Sequence, residues 1–150
     1  MSWAGQGATL FGIGRAPIMP GTAASLVALP FAWMIATALG SEVLLAIGVA
    51  VGGLAIPISG AYERQTGRED PSDCVIDELA GQWIACALAP LTLWGFGLAF
   101  VLFRLFDMTK LWPVSAAERL PGGLGIVADD IVAGAMAGVI VLLVSHFGYL

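Results

Sequence analysis

Five carboxylates stand beside strongly apolar segments of this 150-residue chain. An ionised carboxylate at the edge of a bilayer is costly unless it is paired or bound to a metal ion. Carboxylate oxygens suit hard cations such as Mg²⁺, which combines one or two of them with waters and substrate phosphate oxygens. We therefore predict a Mg²⁺ site in which metal ligands and catalytic residues come from one set, although the sequence leaves open which acid is a ligand and which a base. The set is Asp77, Glu78, Asp107, Asp129 and Asp130.

Two basic residues flank one of these acids at regular spacing. Arg104, Asp107 and Lys110 recur at every third position, which keeps them within about 120° on one helix face. The spacing fits ion pairs that hold a helix end at the membrane interface. It also fits an anion site in which the two cations meet a phosphate beside an acid-bound metal ion.

A loop-to-helix segment near the start of the chain supplies further candidate phosphate ligands. Gly21 permits close backbone approach, and Thr22 can cap a helix whose N-terminal amides bind anions. An ordinary entry into a helix explains the same residues, so both interpretations stand. The predicted phosphate-binding residues are Arg15, Thr22, Ser25, Arg104 and Lys110.

Other phosphatase chemistries are not indicated. Cys74 and Cys86 lack a CxxC spacing, and the single histidine, His146, lies at the far end of the last apolar stretch. A phosphocysteine, a phosphohistidine and a Ser-His-Asp triad are therefore not expected. Water activated by a metal ion is the chemistry that these residues support.

The composition is that of an integral membrane protein. Hydrophobic residues make up 59% of the chain and charged residues 11%, against roughly 25% charged residues in an average soluble domain. Uncharged stretches cover residues 16–41, 43–62, 79–103 and 131–150, each long enough for the ~20 residues of a membrane helix. A net charge of −5 without basic runs argues against a nucleic-acid partner. We predict one all-α membrane domain over residues 1–150.

The distribution of basic residues distinguishes two topologies. Three spans are predicted at about 23–39, 42–59 and 129–147, whereas 79–103 is either one long helix or two helices broken at Pro90. One long helix places three basic residues on each side of the membrane. A hairpin bent near Pro90, with helices at about 74–89 and 93–110, returns all six to one side, which the positive-inside rule makes cytoplasmic.

The predicted fold is therefore an all-α polytopic membrane helical bundle of about five membrane helices. Its N-terminus lies inside and its C-terminus outside, and the acidic site faces the cytoplasm. The N-terminal segment does not resemble a signal peptide, and its first dozen residues are expected to lie at the membrane interface.

Four ordered motifs cover nearly the whole chain and together resemble the phosphatidylglycerophosphatase A family. They are Gly12-x-Gly14 with Pro17-x-x-Pro20-Gly21-Thr22-x-x-Ser25, then Asp70-Pro71 with Val75-Ile76-Asp77-Glu78-x-x-Gly81, then Phe103-Arg104-x-x-Asp107-x-x-Lys110-x-Trp112-Pro113, and finally Gly122-Gly123-x-Gly125-Ile126 with Asp129-Asp130-x-x-Ala133-Gly134. The resemblance implies a Mg²⁺-dependent phosphatase of the bacterial inner membrane. Such an enzyme removes the terminal phosphate of phosphatidylglycerophosphate to give phosphatidylglycerol. Its expected partners are this lipid and other membrane lipids, and an oligomer is left open.

Two alternative functions fit the sequence less well. A small cation-coupled transporter or channel subunit would place charged residues near the middle of the bilayer, accessible from both sides. Here the acids gather at one predicted face, with only Glu42 and His146 at the other. A CDP-alcohol phosphotransferase is also a membrane-embedded acidic Mg²⁺ enzyme, but its characteristic motif is missing from the sequence.

Overall fold

The computed structural model describes residues 2–150, and within that range the chain is all-α, without a β-strand. Seven α-helices and one short 3-10 helix follow one another. They are α1 (Trp3–Ala8), the 3-10 helix (Ile13–Arg15), α2 (Pro20–Leu39), α3 (Ser41–Thr66), α4 (Ile76–Leu88), α5 (Leu93–Thr109), α6 (Val114–Glu118) and α7 (Gly123–His146).

Three of these helices, α2, α3 and α7, are long and apolar enough to cross a membrane. They correspond to the three spans predicted from the sequence, but their ends differ. Helix α3 continues to Thr66 instead of ending near Ser59, and α7 begins at Gly123 instead of near Asp129. The two acids of α7 therefore lie inside the helix, in its second turn, and not at its start.

The early start of α7 has a packing cause. Gly122 adopts a φ of +59°, which turns the chain into the helix. A Cβ on Gly123 would overlap the backbone oxygen of Ile56 in α3, so the backbones of α7 and α3 touch there. This contact stabilises a glycine-rich first turn whose intrinsic helix propensity is low.

The apolar stretch 79–103 is broken into two helices, as the hairpin alternative predicts. Helix α4 ends at Leu88, Ala89 is extended, and Pro90 follows it. Helix α5 begins after Thr92, whose Oγ1 accepts a hydrogen bond from the backbone N–H of Gly95 at 2.9 Å. The break is therefore confirmed, while five membrane crossings remain a proposal.

Helices α4 and α7 form the centre of the bundle and touch through glycines. A Cβ on Gly134 would overlap the backbone oxygen of Gly81, and a Cβ on Gly81 would lie 2.5 Å from the backbone oxygen of Asp130. Asp77 precedes Gly81 by four residues, and Asp130 precedes Gly134 by four. Asp77 and Asp130 therefore each lie about one helical turn from the contact between α4 and α7, which brings the two acids close together.

We predict that Gly134→Ala destabilises the protein by about 1–3 kcal/mol, because the added methyl must push α4 and α7 apart. Gly53→Ala is the matched control. Gly53 is also a helical glycine, but a Cβ there meets nothing within 4 Å, so the change should be neutral or stabilising by up to ~1 kcal/mol. Unfolding of both variants in the same detergent measures the difference, and a Gly134→Ala protein as stable as wild type would contradict the contact.

Candidate active site

A cavity of about 340 Å³ lies where α2 and α4 begin and α5 ends, beside the second turn of α7. All five carboxylates predicted from the sequence line it. Arg104 and Lys110 also line it, and so does one acid outside the predicted set, Asp70. Residues from four separated parts of the sequence therefore share one cavity.

Three aspartates form its most compact group. Asp77, Asp129 and Asp130 are each buried, and each offers one carboxylate oxygen within 4.8 Å of the other two. Within residues 2–150, Asp77 Oδ1 and Glu78 Oε2 are buried without a hydrogen-bond partner. Buried carboxylate oxygens left unpaired are costly, and an all-oxygen ligand set suits a hard divalent cation. These residues fit a bound metal ion.

Two cations partly neutralise the acids. Lys110 Nζ donates to Asp107 Oδ1 at 2.8 Å and to Asp129 Oδ2 at 2.5 Å. Arg104 Nη1 donates to Asp107 Oδ2 at 2.5 Å. Burial by itself lowers the pKa of Lys110, but the bonds to the two aspartates outweigh it and raise that pKa well above the usual range. The ion pairs favoured by the i, i+3 spacing are therefore present, and Lys110 also joins α5 to α7.

Thr22 does not cap α2, so that prediction is wrong. The helix begins at Pro20, and the residue before it is Met19, which has a φ of +50° and makes no side-chain capping bond. Proline suits a first helical position because its φ is fixed and it has no N–H to satisfy. Thr22 therefore lies inside the first turn, where its side chain is past the capping position.

Gly21 makes the close approach that its residue type permits. A Cβ there would overlap Glu78 Oε1 and would lie 3.2 Å from both terminal nitrogens of Arg104. The backbone of α2 thus forms one wall of the cavity against α4 and α5. Any larger residue at this position would displace an acid and a cation of the site.

The other predicted phosphate ligands are placed differently. Thr22 Oγ1 and Ser25 Oγ are buried without a partner in the described chain, and neither residue is among those that line the cavity. Arg15 ends the 3-10 helix, is exposed, and lies close enough to Tyr62 to influence it electrostatically. The structure therefore brings Arg104 and Lys110 into the cavity and leaves Arg15 outside it.

Asp70 is the acid that the sequence prediction omitted. It lies in the loop between α3 and α4 with a φ of +43°, and although the residue is exposed, partial desolvation raises the pKa of its carboxyl. The loop is held by Asp73, which accepts bonds from Tyr62 Oη at 2.6 Å and from Arg68 Nη2 at 3.1 Å. The signal available in the sequence was the Asp70-Pro71 pair, which lies shortly before Asp77.

We predict that Asp77→Asn and Asp130→Asn each weaken divalent-cation binding roughly tenfold or more, since each removes a negative ligand oxygen. Mn²⁺ titration of the purified protein in detergent, followed by calorimetry, measures this. Glu118→Gln is the control, because that carboxylate lies outside the cavity. Unchanged Mn²⁺ affinity in both test variants would refute the metal site.

Comparison with known proteins places the chain among lipid phosphatases. Residues 7–145 match the family described as phosphatidylglycerophosphatase A. The phosphatidylglycerophosphatase A of Escherichia coli (strain K12) is 36% identical over 141 residues, which cover 91% of this chain and 80% of that protein. The Haemophilus influenzae (strain Rd) protein of the same name is 30% identical, covering 91% of this chain and 85% of its own.

The name of a third relative refers to a different substrate. A protein of Bacteroides thetaiotaomicron, named as a candidate phosphatidylinositol-3-phosphatase, is 34% identical over 146 residues, or 89% of this chain and 87% of that protein. No solved structure matches the chain. The family match covers nearly the whole chain, and the relatives align along most of their own sequences. This chain therefore belongs to the phosphatidylglycerophosphatase A family.

Proposed function

We propose that this protein removes the terminal phosphate of phosphatidylglycerophosphate, giving phosphatidylglycerol, in a Mg²⁺-dependent hydrolysis. The observation that carries the proposal is the cavity itself. In the cavity, carboxylates that fit a divalent metal ion lie beside Arg104 and Lys110, whose positive charges fit a phosphate. The cavity lies at one end of a bundle of apolar helices. Membership of the phosphatidylglycerophosphatase A family supplies the substrate.

The charge balance of the cavity supports a bound cation. Among the described lining residues, six carboxylates face two cationic side chains, Arg104 and Lys110. So much negative charge would repel a phosphate, because electrostatic interactions are strong where water is scarce. Asp77, Asp129 and Asp130 would hold Mg²⁺, with Glu78 beside them. The ion would supply a Lewis acid that polarises the phosphoryl group and lowers the pKa of a bound water.

The residues of the chain have complementary tasks. Lys110 is a compact positive charge fixed between two aspartates, so it presents its ammonium to a phosphate oxygen without first having to be ordered. Arg104 is held by Asp107 in the same way. Glu78 Oε2, a carboxylate oxygen without a partner in the described part of the chain, lies beside the proposed metal ligands and is a position at which a proton from the attacking water can be accepted.

The dimensions of the bundle support five membrane crossings. From Asp130 to His146, α7 rises about 24 Å, close to the ~30 Å of a hydrocarbon core. At the far end, Trp94 of α5 and Tyr149 after α7 line one shallow apolar groove. Both are strongly exposed, as is typical of aromatic side chains at a membrane interface. The turn between α4 and α5 thus reaches the level at which α7 ends.

The orientation follows from the basic residues. All six belong to helix ends or loops at the cavity end of the bundle, whereas the far end carries Glu42 and His146. We therefore place the cavity at the cytoplasmic face of a bacterial inner membrane. The same one-ended arrangement argues against the transporter alternative, which needs charged groups accessible from both sides.

The function is tested by phosphate release from lipids in detergent micelles. We expect the purified protein to hydrolyse phosphatidylglycerophosphate faster than phosphatidylinositol 3-phosphate, the substrate class named for the Bacteroides relative. EDTA should lower the rate roughly 100-fold or more, and Mg²⁺ should restore it, since a Lewis acid contributes several kcal/mol to transition-state stabilisation. Glu118→Gln, which changes an acid outside the cavity, should keep full activity. No release from phosphatidylglycerophosphate with any divalent cation would refute the proposal.

The topology is tested by cysteine labelling in intact cells, in a background lacking Cys74 and Cys86. Cysteines at position 42 and after residue 150 should react with an impermeant reagent. Cysteines at positions 68 and 119 should react only after permeabilisation, because the five-crossing arrangement puts them inside. Labelling of position 119 from outside would overturn the hairpin crossing and the cytoplasmic site.

A further inference from the structure

Three buried donors on α2 and α5, which we call the donor row, make no hydrogen bond to any of residues 2–150. In the described chain, Thr22 Oγ1, Ser25 Oγ and Arg104 Nε are buried and make no hydrogen bond. Ser25 is completely buried. Polar groups in such positions are normally satisfied, and a mid-helix serine usually bonds to its own helix backbone or faces solvent. The absence of partners therefore points to a ligand.

The packing of α2 brings its first turn against Arg104 and Glu78. Gly21 lies against Arg104 of α5, and Thr22 is the next residue of α2. Ser25 is four residues beyond Gly21, on the same helix face and about 6 Å farther from the cavity end. Farther along, the rings of Trp33 and Phe96 meet edge to face at 5.2 Å, which shows that the two helices remain neighbours. Ser25 therefore lies one helical turn farther from the cavity end than the contact between Gly21 and Arg104.

Arg104 connects this row to the cavity. Its Nη1 is bonded to Asp107 in the cavity, whereas its Nε, on the other edge of the guanidinium, is without a partner in the described residues. Two hydroxyl groups and one guanidinium N–H are donors to an anion, and none of them brings a negative charge. The row therefore fits phosphate oxygens.

We propose that Thr22, Ser25 and Arg104 Nε bind the phosphodiester of the lipid, the phosphate that is not hydrolysed. This inference rests on the proposed function, because phosphatidylglycerophosphate carries a reacting monoester and, one glycerol unit away, a diester joined to the acyl-bearing part. The order of groups in the lipid matches the order in the protein: carboxylates and Lys110, then the donor row, then the bilayer. Helix α2 packs less closely on α5 than on α3 or α4, so we place lipid entry on the α2–α5 side.

The test compares substrates with and without the diester. Phosphatidylglycerophosphate has both phosphates, whereas phosphatidate has only the monoester. Ser25→Ala and Thr22→Val should each lower kcat/KM for phosphatidylglycerophosphate about tenfold, because each loses a hydrogen bond to a charged group. The kcat/KM for phosphatidate should change less than about twofold. Phosphatidylglycerol has only the diester, so its inhibition constant in the same micelles should rise about tenfold in both variants.

Two variants serve as matched controls. Thr37→Val removes a hydroxyl elsewhere on α2, where it bonds to the backbone oxygen of Trp33 at 2.8 Å. Ser59→Ala removes a completely buried hydroxyl on α3, which accepts a bond from Cys74 Sγ at 3.3 Å. Neither change should alter the ratio of the two kcat/KM values or the inhibition by phosphatidylglycerol.

The other outcomes are distinct. If Ser25→Ala and Thr22→Val weaken both substrates equally, the hydroxyl groups act on the reacting phosphate or on folding, and the inference is wrong. If they change neither substrate nor the inhibition by phosphatidylglycerol, water satisfies them, and it is also wrong. If wild type hydrolyses phosphatidylglycerophosphate in either case, the proposed function stands without this inference. If wild type does not hydrolyse it, both fall.

Discussion

Mutual repulsion among buried carboxylates is the constraint on which the rest of this structure depends. Asp77, Asp129 and Asp130 place oxygens within 4.8 Å of one another, in a cavity that holds three further acids. Like charges at such distances, away from bulk water, oppose folding unless cations enter among them. Lys110 and Arg104 supply part of that compensation. The oxygens of Asp77 and Glu78 that have no partner among residues 2–150 mark where more positive charge is needed.

Such a cluster persists only if the backbone that carries it cannot relax. The contact between Gly81 and Gly134 fixes α4 against α7 one turn from the acids, with no side chain between the helices. The loop before α4 is held separately, since Asp73 is bonded to Tyr62 of α3 and Val75 N–H donates to Ala8 of the N-terminal segment at 2.8 Å. Close backbone packing near the middle of α4 and α7 thus holds charges that would otherwise separate.

Much of this could be predicted from the sequence, because its strongest signals are chemical and local. The lengths of the apolar stretches predicted α2, α3 and α7, and Pro90 predicted the break between α4 and α5. The positions of acids at the ends of apolar segments predicted the five carboxylates of the cavity. The start of α7 was not predicted, because the contact of Gly123 with α3, and not the local sequence, determines where this helix begins. Asp70 was missed because it reaches the cavity from a loop with a left-handed backbone that nothing in the residue type requires. Gln82 is buried one turn beyond Glu78, and nothing in the structure explains why its Oε1 has no partner among residues 2–150.

Arg104, Asp107 and Lys110 can form ion pairs at the helix end and an anion site at the same time, because the two cations have more N–H donors than the ion pairs use. An ammonium has three N–H donors, and Lys110 uses two of them on Asp107 and Asp129, which leaves one. A guanidinium has five, and Arg104 bonds Asp107 through Nη1 while its Nε is without a partner in the described chain. The ion pairs that fix the end of α5 therefore also orient the unused donors. Because those donors belong to side chains already held in place, a phosphate that meets them loses little affinity to ordering. The same contacts thus stabilise the helix end and preorganise an anion site.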